Sequence, residues 1–417
     1  MSARTWAGAV ALGALAILGL AIATGGQGAS PAAGRGDHGW LGGLYADGFG
    51  LAGRDYIQLE RAALVAYAAV VAFAAALPGW AIRWTTVLLV AAFAAAPVLL
   101  SQDVFSYISY ARLEAIHDLN PYGHSPGEVP GDPALEFLRD NRTLVSVYGP
   151  LFTIISLPLA GVSIGAAVYS VKVVAALSVL ACVWIVARLA AARGQDPRPA
   201  AALVGLNPLV LVHVVGGGHN DALMAALTTA GIAAAWLGVG RTGGATLTTA
   251  AAVKSSALLA LPFALLGAAR TELPRLAAGA VGAAGILAGV ALAAFGSGAL
   301  ESVEVLSGNQ ALNSRASLPV YLSDELAIEL DTVKAVCLGL YAVSLAGLLA
   351  WVALGADWIR ATGWAFAGLL VATSYLTPWY AIWLLPPAAL ARDRALVVVS
   401  LLISAFILRE QVPFLGG

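Results

Sequence analysis

The sequence predicts an all-α polytopic membrane protein, a helix bundle that carries two long external loops. Three observations lead there. Hydrophobic residues make up 60% of the 417 and charged residues only 11%, a balance that no soluble core of this size can hide. The apolar residues fall in long runs separated by short, arginine-bearing connections. Two gaps between runs, about 101–148 and 297–332, are far longer than connectors need to be.

The runs place spans at Trp6–Thr24, Ala62–Leu77, Thr85–Leu100, Ala166–Ala190, Ala200–Val215, Ala222–Val239, Leu276–Phe295, Val333–Leu354, Ile359–Leu376, Trp379–Ala391 and Ala395–Leu408. That is about eleven full crossings, several shorter than the ~20 residues a lone helix needs, so these must be sheltered inside the bundle or continue into interfacial residues. The first run follows Arg4 and reads as an uncleaved anchor, although Ala21-Ile22-Ala23 resembles a signal cleavage site. Cys182 and Cys337 lie within spans and read as small apolar core residues. Residues 1–417 form a single integral membrane domain on this reading.

Orientation follows from arginine. With the N-terminus cytoplasmic, Arg83, Arg188, Arg193, Arg198, Arg241, Arg270, Arg275, Arg360, Arg392 and Arg394 all fall on the inner side, as short inner loops require. Both long loops and their acids are then extracytoplasmic, on the outer face of a plasma membrane. The formal net charge of −1 identifies no partner, and nucleic acid is not among those expected.

Two segments do not fit as crossings. Tyr148–Ala160 is apolar but only about 13 residues long, roughly 20 Å as helix. Counting it as a span would put Arg188, Arg193 and Arg198 outside. It is therefore expected to be an outer half-helix begun by Gly149-Pro150. Gly243–Val253 and Ser255–Leu266 lie between Arg241 and Arg270, so two half-helices are expected to meet at Lys254 near mid-membrane, where a lysine needs an anionic partner. One tilted span with Lys254 snorkelling is the other reading.

Asp103 is the leading candidate for chemistry. It follows a span directly, in Ser101-Gln102-Asp103-Val104-Phe105-Ser106-Tyr107, and opens onto the first long loop. An acid at that depth is costly and points to a functional site; capping a helix that runs to about Ala115 is the structural alternative. Gly216-Gly217-Gly218-His219-Asn220-Asp221 joins two spans at the outer surface. The glycines permit close ligand approach, and Asn220 or Asp221 could instead cap the next helix. Lys172 and Lys254 within the bundle, and Arg315 in the second loop, are candidates for holding a phosphate. Trp379, Tyr380 and Trp383 after Thr377-Pro378 suit either an interfacial belt or stacking on a sugar ring. No nucleotide-binding fingerprint occurs and no cytoplasmic domain is present to carry one, so an activated donor is expected to be membrane-borne.

Several pieces occur in order: Ser101-Gln102-Asp103-Val104-Phe105-Ser106-Tyr107, Asn120-Pro121-Tyr122, Tyr148-Gly149-Pro150-Leu151, Asn207-Pro208-Leu209, Gly217-Gly218-His219-Asn220-Asp221-Ala222-Leu223 and Val253-Lys254. The set resembles the GT-C superfamily of membrane glycosyltransferases, and most of all its actinobacterial polyprenyl-phosphomannose-dependent α-1,6-mannosyltransferases, over about residues 85–390. The resemblance implies a GT-C-like bundle with interfacial helices in the external loops and Asp103 as catalytic base. It implies no cofactor and no metal. The donor would be a polyprenyl-phosphate sugar, and mannose the hexose; the acceptor would be a mannan, glycolipid or other glycan, with membrane lipids around both. Tyr107, Asn120, Tyr122, Tyr148, His219, Asn220, Asp221, Trp379 and Tyr380 would line the substrates, and Lys172, Lys254 and Arg315 the donor phosphate. The chain departs from the family in reading Asp118-Leu119-Asn120 where Gly-Leu-Asn is common. The rival from another class is a secondary transporter or a flippase for lipid or lipid-linked sugar, because broken helices meeting at a lysine also mark transport sites.

Overall fold

The computed structural model describes residues 2–31, 51, 53–298 and 312–409, and their regular structure is helical throughout. The longer helices are α1 (Ala3–Thr24), α2 (Gly53–Phe73), α3 (Gly79–Ala95), α4 (Asp103–His117), α5 (Pro150–Ser156), α6 (Ile164–Ala192), α7 (Pro197–Gly205), α8 (Asp221–Trp236), α9 (Gly240–Val253), α10 (Ala260–Gly267), α11 (Leu273–Phe295), α12 (Leu318–Leu326), α13 (Leu330–Ala353), α14 (Trp358–Ala372), α15 (Ala381–Leu390) and α16 (Arg394–Arg409). Polar residues start several of them where the sequence supplies a cap. Ser163 accepts a hydrogen bond from the Ala166 amide to open α6, and Asp196 accepts one from Arg198 to open α7 with Pro197 in its first turn.

Each predicted run holds a helix. Among the described residues, five helical segments are by length and composition alone long and apolar enough to span: α1, Arg54–Ala76, α6, α11 and α13. Run 200–215 is not one straight helix. Asn207-Pro208 breaks it, and a π-helical segment, Val210–Gly216, continues at 57° to α7. Helices α3, α8 and α14 have 17, 16 and 15 residues. The run read as Thr85–Leu100 stops at Ala95 because Ala96 precedes a proline and is forced to extended backbone.

The half-helices take the form expected. Tyr148–Ala160 becomes α5 and a short 3-10 turn, Leu157–Gly161. Lys254 has extended backbone (φ −152°, ψ 124°) between α9 and a 3-10 turn, Ser255–Leu259, that leads into α10. The two irregularities meet: the Gly149 amide donates to the Val253 carbonyl at 3.2 Å. A carbonyl freed by the break is thereby satisfied, as an apolar interior demands. Helix α9 also lies close against α11, where side chains on Gly244 and Gly279 would overlap backbone carbonyls of the facing helix.

The bundle has two chemically distinct ends. At one, arginine connections knit together: Arg193 pairs with Asp357, Arg360 with Asp393 at 2.7 Å, and Arg198 donates to the Leu77 carbonyl. At the other meet the segments that follow α3, precede α8 and precede α15. The Leu99 amide donates to Gly216 at 3.2 Å. The first long loop folds back onto α4 there. Asp132 takes both Arg112 Nε (2.9 Å) and His117 Nε2 (2.8 Å). Burial pushes the Asp132 carboxyl up, but His117, the Ala134 amide and Arg112 outweigh it and hold it below the usual value. Asp118 ends α4 in the left-handed region (φ 54°), which gives the departure from Gly at this position its conformational meaning. Asp is among the few residues that tolerate it. Of the second long loop, residues 299–311, with Glu301 and Glu304, lie outside those described.

A methyl group on Gly149 would overlap the Ala252 carbonyl oxygen, and that backbone has no room to yield. Gly149→Ala is expected to cost about 3 kcal/mol, at the upper end for overpacking. Thermal unfolding of the detergent-solubilised protein measures it; an unchanged melting temperature would mean that α5 does not dock on this break.

Candidate active site

Three chain segments converge at the end of the bundle opposite the arginines. The first begins with Pro97, which ends the α3 run, and Leu100, a non-glycine residue at φ 58°. It delivers Asp103 as the first residue of α4. Gln102 occupies the capping position, and the Asp103 side chain makes no cap. The capping alternative therefore does not describe this acid. Its carboxylate lies 3.4 Å from His219 Nδ1 and is 20% exposed, whereas His219 is fully buried.

The second segment is the glycine loop. Gly218 turns at φ 70°, a conformation open to glycine at little cost. His219 then stacks on Trp379, with ring centroids 3.8 Å apart and planes at 18°. Neither His219 ring nitrogen has a hydrogen bond, and the buried Asn220 Nδ2 also has none. Tyr107 reaches Asn220 from α4: its hydroxyl accepts from the Asn220 amide at 3.4 Å and donates to Oδ1 at 3.5 Å. Asn220 precedes α8 without a side-chain cap. Asp221, the first residue of α8, is turned inward instead.

Asp221 is the partner that Lys254 was expected to need. Lys254 Nζ lies 2.9 Å from both carboxylate oxygens, and Trp383 Nε1 donates to the same carboxylate at 2.6 Å. The ammonium also stands over the Tyr380 and Trp383 rings, 4.7 and 5.3 Å from their centroids, which are themselves stacked 3.9 Å apart. Cation–π attraction and a buried ion pair thus act together. Lys254 keeps 17% exposure and Asp221 none, so the cation is the more accessible member of the pair.

The third segment, Thr373–Tyr380, supplies the aromatic wall. It is braced by the end of the second long loop: the Ser314 amide donates to the Ser374 carbonyl and its hydroxyl to the Leu376 carbonyl, each at 2.8 Å. Exposed Arg315 is carried on that brace. Tyr375 lies within the field of Asp103. Sequence reasoning missed Tyr375, for which the Tyr-Leu-Thr-Pro-Trp-Tyr stretch was the signal, and placed Trp383 in a belt or sugar-stacking role where the structure has it donating to Asp221. Burial raises the Asp103 carboxyl, but His219, Lys254 and Tyr148 outweigh it and leave Asp103 below the usual carboxylate value. It is an ionised acid at neutral pH.

Not every predicted residue joins this cluster directly. Lys172 is fully buried and donates to the Ala96 and Pro97 carbonyls, the latter at 2.8 Å. It closes the C-terminus of α3, where a cation is favoured, and is not free to hold a donor phosphate. Tyr148 packs edge-on against Tyr107, 4.7 Å between centroids, and lines the cleft. Tyr122 lies behind it, its hydroxyl donating to the Tyr148 carbonyl at 3.0 Å and paired with Thr153. Asn120 accepts from the Tyr122 amide at 3.0 Å, shaping the turn that places Tyr122. Among the described residues no three His, Cys, Asp or Glu side chains gather as a metal-ligand group.

Loss of either member of the Lys254–Asp221 pair leaves the other buried and uncompensated. Lys254→Met and Asp221→Asn alone are each expected to destabilise by about 3–5 kcal/mol, and the double variant by much less than their sum. A double-variant cycle of thermal stability checks this. Additive losses would show that the two charges do not depend on one another.

Comparison with known proteins bears on the same residues. Residues 5–270, well over half of the chain, match the family model for the alpha-(1->6)-mannopyranosyltransferase N-terminal domain. An alpha-(1->6)-mannopyranosyltransferase A of Mycobacterium tuberculosis is 33% identical over 186 residues, 43% of this chain and 36% of that protein. One of Corynebacterium glutamicum is 30% identical over 173 residues, 40% of this chain and 35% of that protein. The chain thus aligns with about a third of the length of each relative. No solved structure matches it. With Asp103, the glycine loop and Lys254 all inside the matched region, the chain belongs to the alpha-(1->6)-mannopyranosyltransferase family.

Proposed function

We propose that this protein transfers a mannosyl residue, with inversion, from a polyprenyl-phosphate mannose to a hydroxyl of a glycan or glycolipid at the extracytoplasmic face of the plasma membrane. The observation that carries the reading is the partly exposed Asp103 carboxylate, held against His219 beside an aromatic wall and a paired cation. Asp103 would take the proton of the acceptor hydroxyl as its oxygen bonds to the anomeric carbon. The bond from that carbon to the phosphate oxygen breaks, and the prenyl phosphate leaves with the electron pair. A β-linked donor then gives an α-mannoside.

Each neighbour has a task in this scheme. Lys254 at the cleft, joined by Arg315 on its brace, would meet the phosphate as its charge develops; preorganised cations there act mainly on the transition state. Trp379 and Tyr380 offer faces on which a pyranose ring stacks. The low Asp103 pKa departs from the raised value that a general base working near neutrality would favour, so the residue relies on placement close to the hydroxyl. The family's name concerns mannopyranosyl transfer, and the arginine-rich end of the bundle supports a cytoplasmic assignment opposite the site. The broken helix at Lys254 favours transport as a second reading; a lysine already paired with Asp221 and capped by two rings has little of a transport site's freedom.

Purified Asp103→Asn protein is expected to fold normally and lose transfer by about 10²–10⁴-fold, measured with labelled polyprenyl-phosphate mannose and short mannan acceptors. Near-normal turnover would remove Asp103 as base. Uptake of labelled donor into vesicles, with no glycoside formed by the parent protein, would favour the transporter. Because the Asp103 carboxyl sits below its ordinary value of 3.8, the base is present above that pH and is lost only as pH falls through the depressed value. The acid limb of kcat/KM should lie below about pH 4. An acid limb near pH 6 would assign it to another group.

A further inference from the structure

A second buried ionisable pair lies beneath the site, and the chemistry above does not use it. Glu60 on α2 and His213 on the Val210–Gly216 π-helix meet at 2.7 Å between Oε1 and Nε2, with exposures of 1% and 2%. Ionisable groups so deep in an apolar bundle are costly, and they persist where they hold or do something. The Tyr56 hydroxyl, one turn earlier on the same face of α2, is also buried and has no partner.

The π-helix is the element that delivers the glycine loop. A π turn inserts an extra residue into the helical repeat and is retained mostly at functional positions. Here side chains hold it at entry and mid-length. Asn207 Oδ1 accepts from the Leu209 and Val210 amides at 2.9 and 3.4 Å, and Glu60 fixes His213 in the middle. The loop then hangs from the backbone of this turn: the Gly217 amide donates to the His213 carbonyl at 3.1 Å, and the His219 amide to the Val214 carbonyl at 2.9 Å. A shift of His213 therefore moves the residues that stand against Asp103 and Lys254.

We infer that Glu60 and His213 are positioning residues, a buried hydrogen-bonded pair that locks the π turn and thereby sets where His219, Asn220 and Asp221 stand. The structural part concerns the loop alone, and its consequence for turnover rests on the proposed transfer reaction. Glutamine at position 60 keeps an acceptor for the His213 N–H, whereas alanine removes it.

The test compares parent, Glu60→Gln and Glu60→Ala full-length proteins in lipid nanodiscs by amide hydrogen exchange and by mannosyl transfer. Glu60→Ala should speed exchange over residues 210–221 by about tenfold while α6 and α9 stay as in the parent. It should also lower kcat by about tenfold with acceptor KM changed less than about twofold. Glu60→Gln should restore both. Unchanged exchange over 210–221 in Glu60→Ala, or faster exchange spread equally through α6 and α9, would overturn the inference. Should Glu60→Ala not fold, the apolar pair Glu60→Met with His213→Leu replaces both polar side chains and is expected to fold. Parent-like exchange and kcat in that double variant would also overturn it. A parent protein that transfers no mannose, with the exchange pattern as expected, would uphold the positioning pair and reject the proposed reaction instead.

Discussion

A charge buried among apolar helices has to be paired, and in this protein the pairing of Lys254 with Asp221 organises everything around it. Lys254 sits where α9 stops, so its partner has to come from another helix. Asp221 can supply it only because the glycine loop sets that acid at the very start of α8, facing inward. Trp383 completes the carboxylate's hydrogen bonding from α15. Three distant parts of the chain are thus tied at one point, and the tie is strong because a failed member would strand the other in a dry interior.

The same break creates a second join. A helix interrupted in the bundle leaves carbonyls without donors, and the Val253 carbonyl finds one in Gly149. Through that bond α5 is seated and Tyr148 is placed beside Tyr107. Asp103 therefore lies near Tyr148, at the end of the first long loop, and near His219, which stacks on Trp379. Asp103 and Asp221 share a construction: each is the first residue of a helix, where the N-terminal end of the helix dipole favours a carboxylate. Their difference is in exposure. Asp221 is sealed and pairs with Lys254; Asp103 is partly open and meets His219.

Polar groups that might be taken for substrate contacts divide by what surrounds them. Lys172 and Tyr122 are satisfied by carbonyl oxygens of the protein and serve as struts. His219 Nε2 and Asn220 Nδ2 are buried and make no hydrogen bond in the protein, an arrangement that costs stability.

The helical class, the place of most of the apolar helices, the half-helix at Gly149-Pro150 and the interruption at Lys254 were legible in the order of residues, because hydrophobic periodicity, proline and stray charge act locally; the short helix Leu318–Leu326 was not. Family resemblance in the ordered motifs was legible too. What only the tertiary structure decided is who meets whom. That Lys254 belongs to Asp221, that Lys172 closes a helix, that His219 lies flat on Trp379 and that His213 reaches Glu60 depend on contacts between residues from 33 to 160 positions apart. Local sequence sets the cost of a buried charge or a broken helix, and the packing of the whole bundle selects the group that meets that cost.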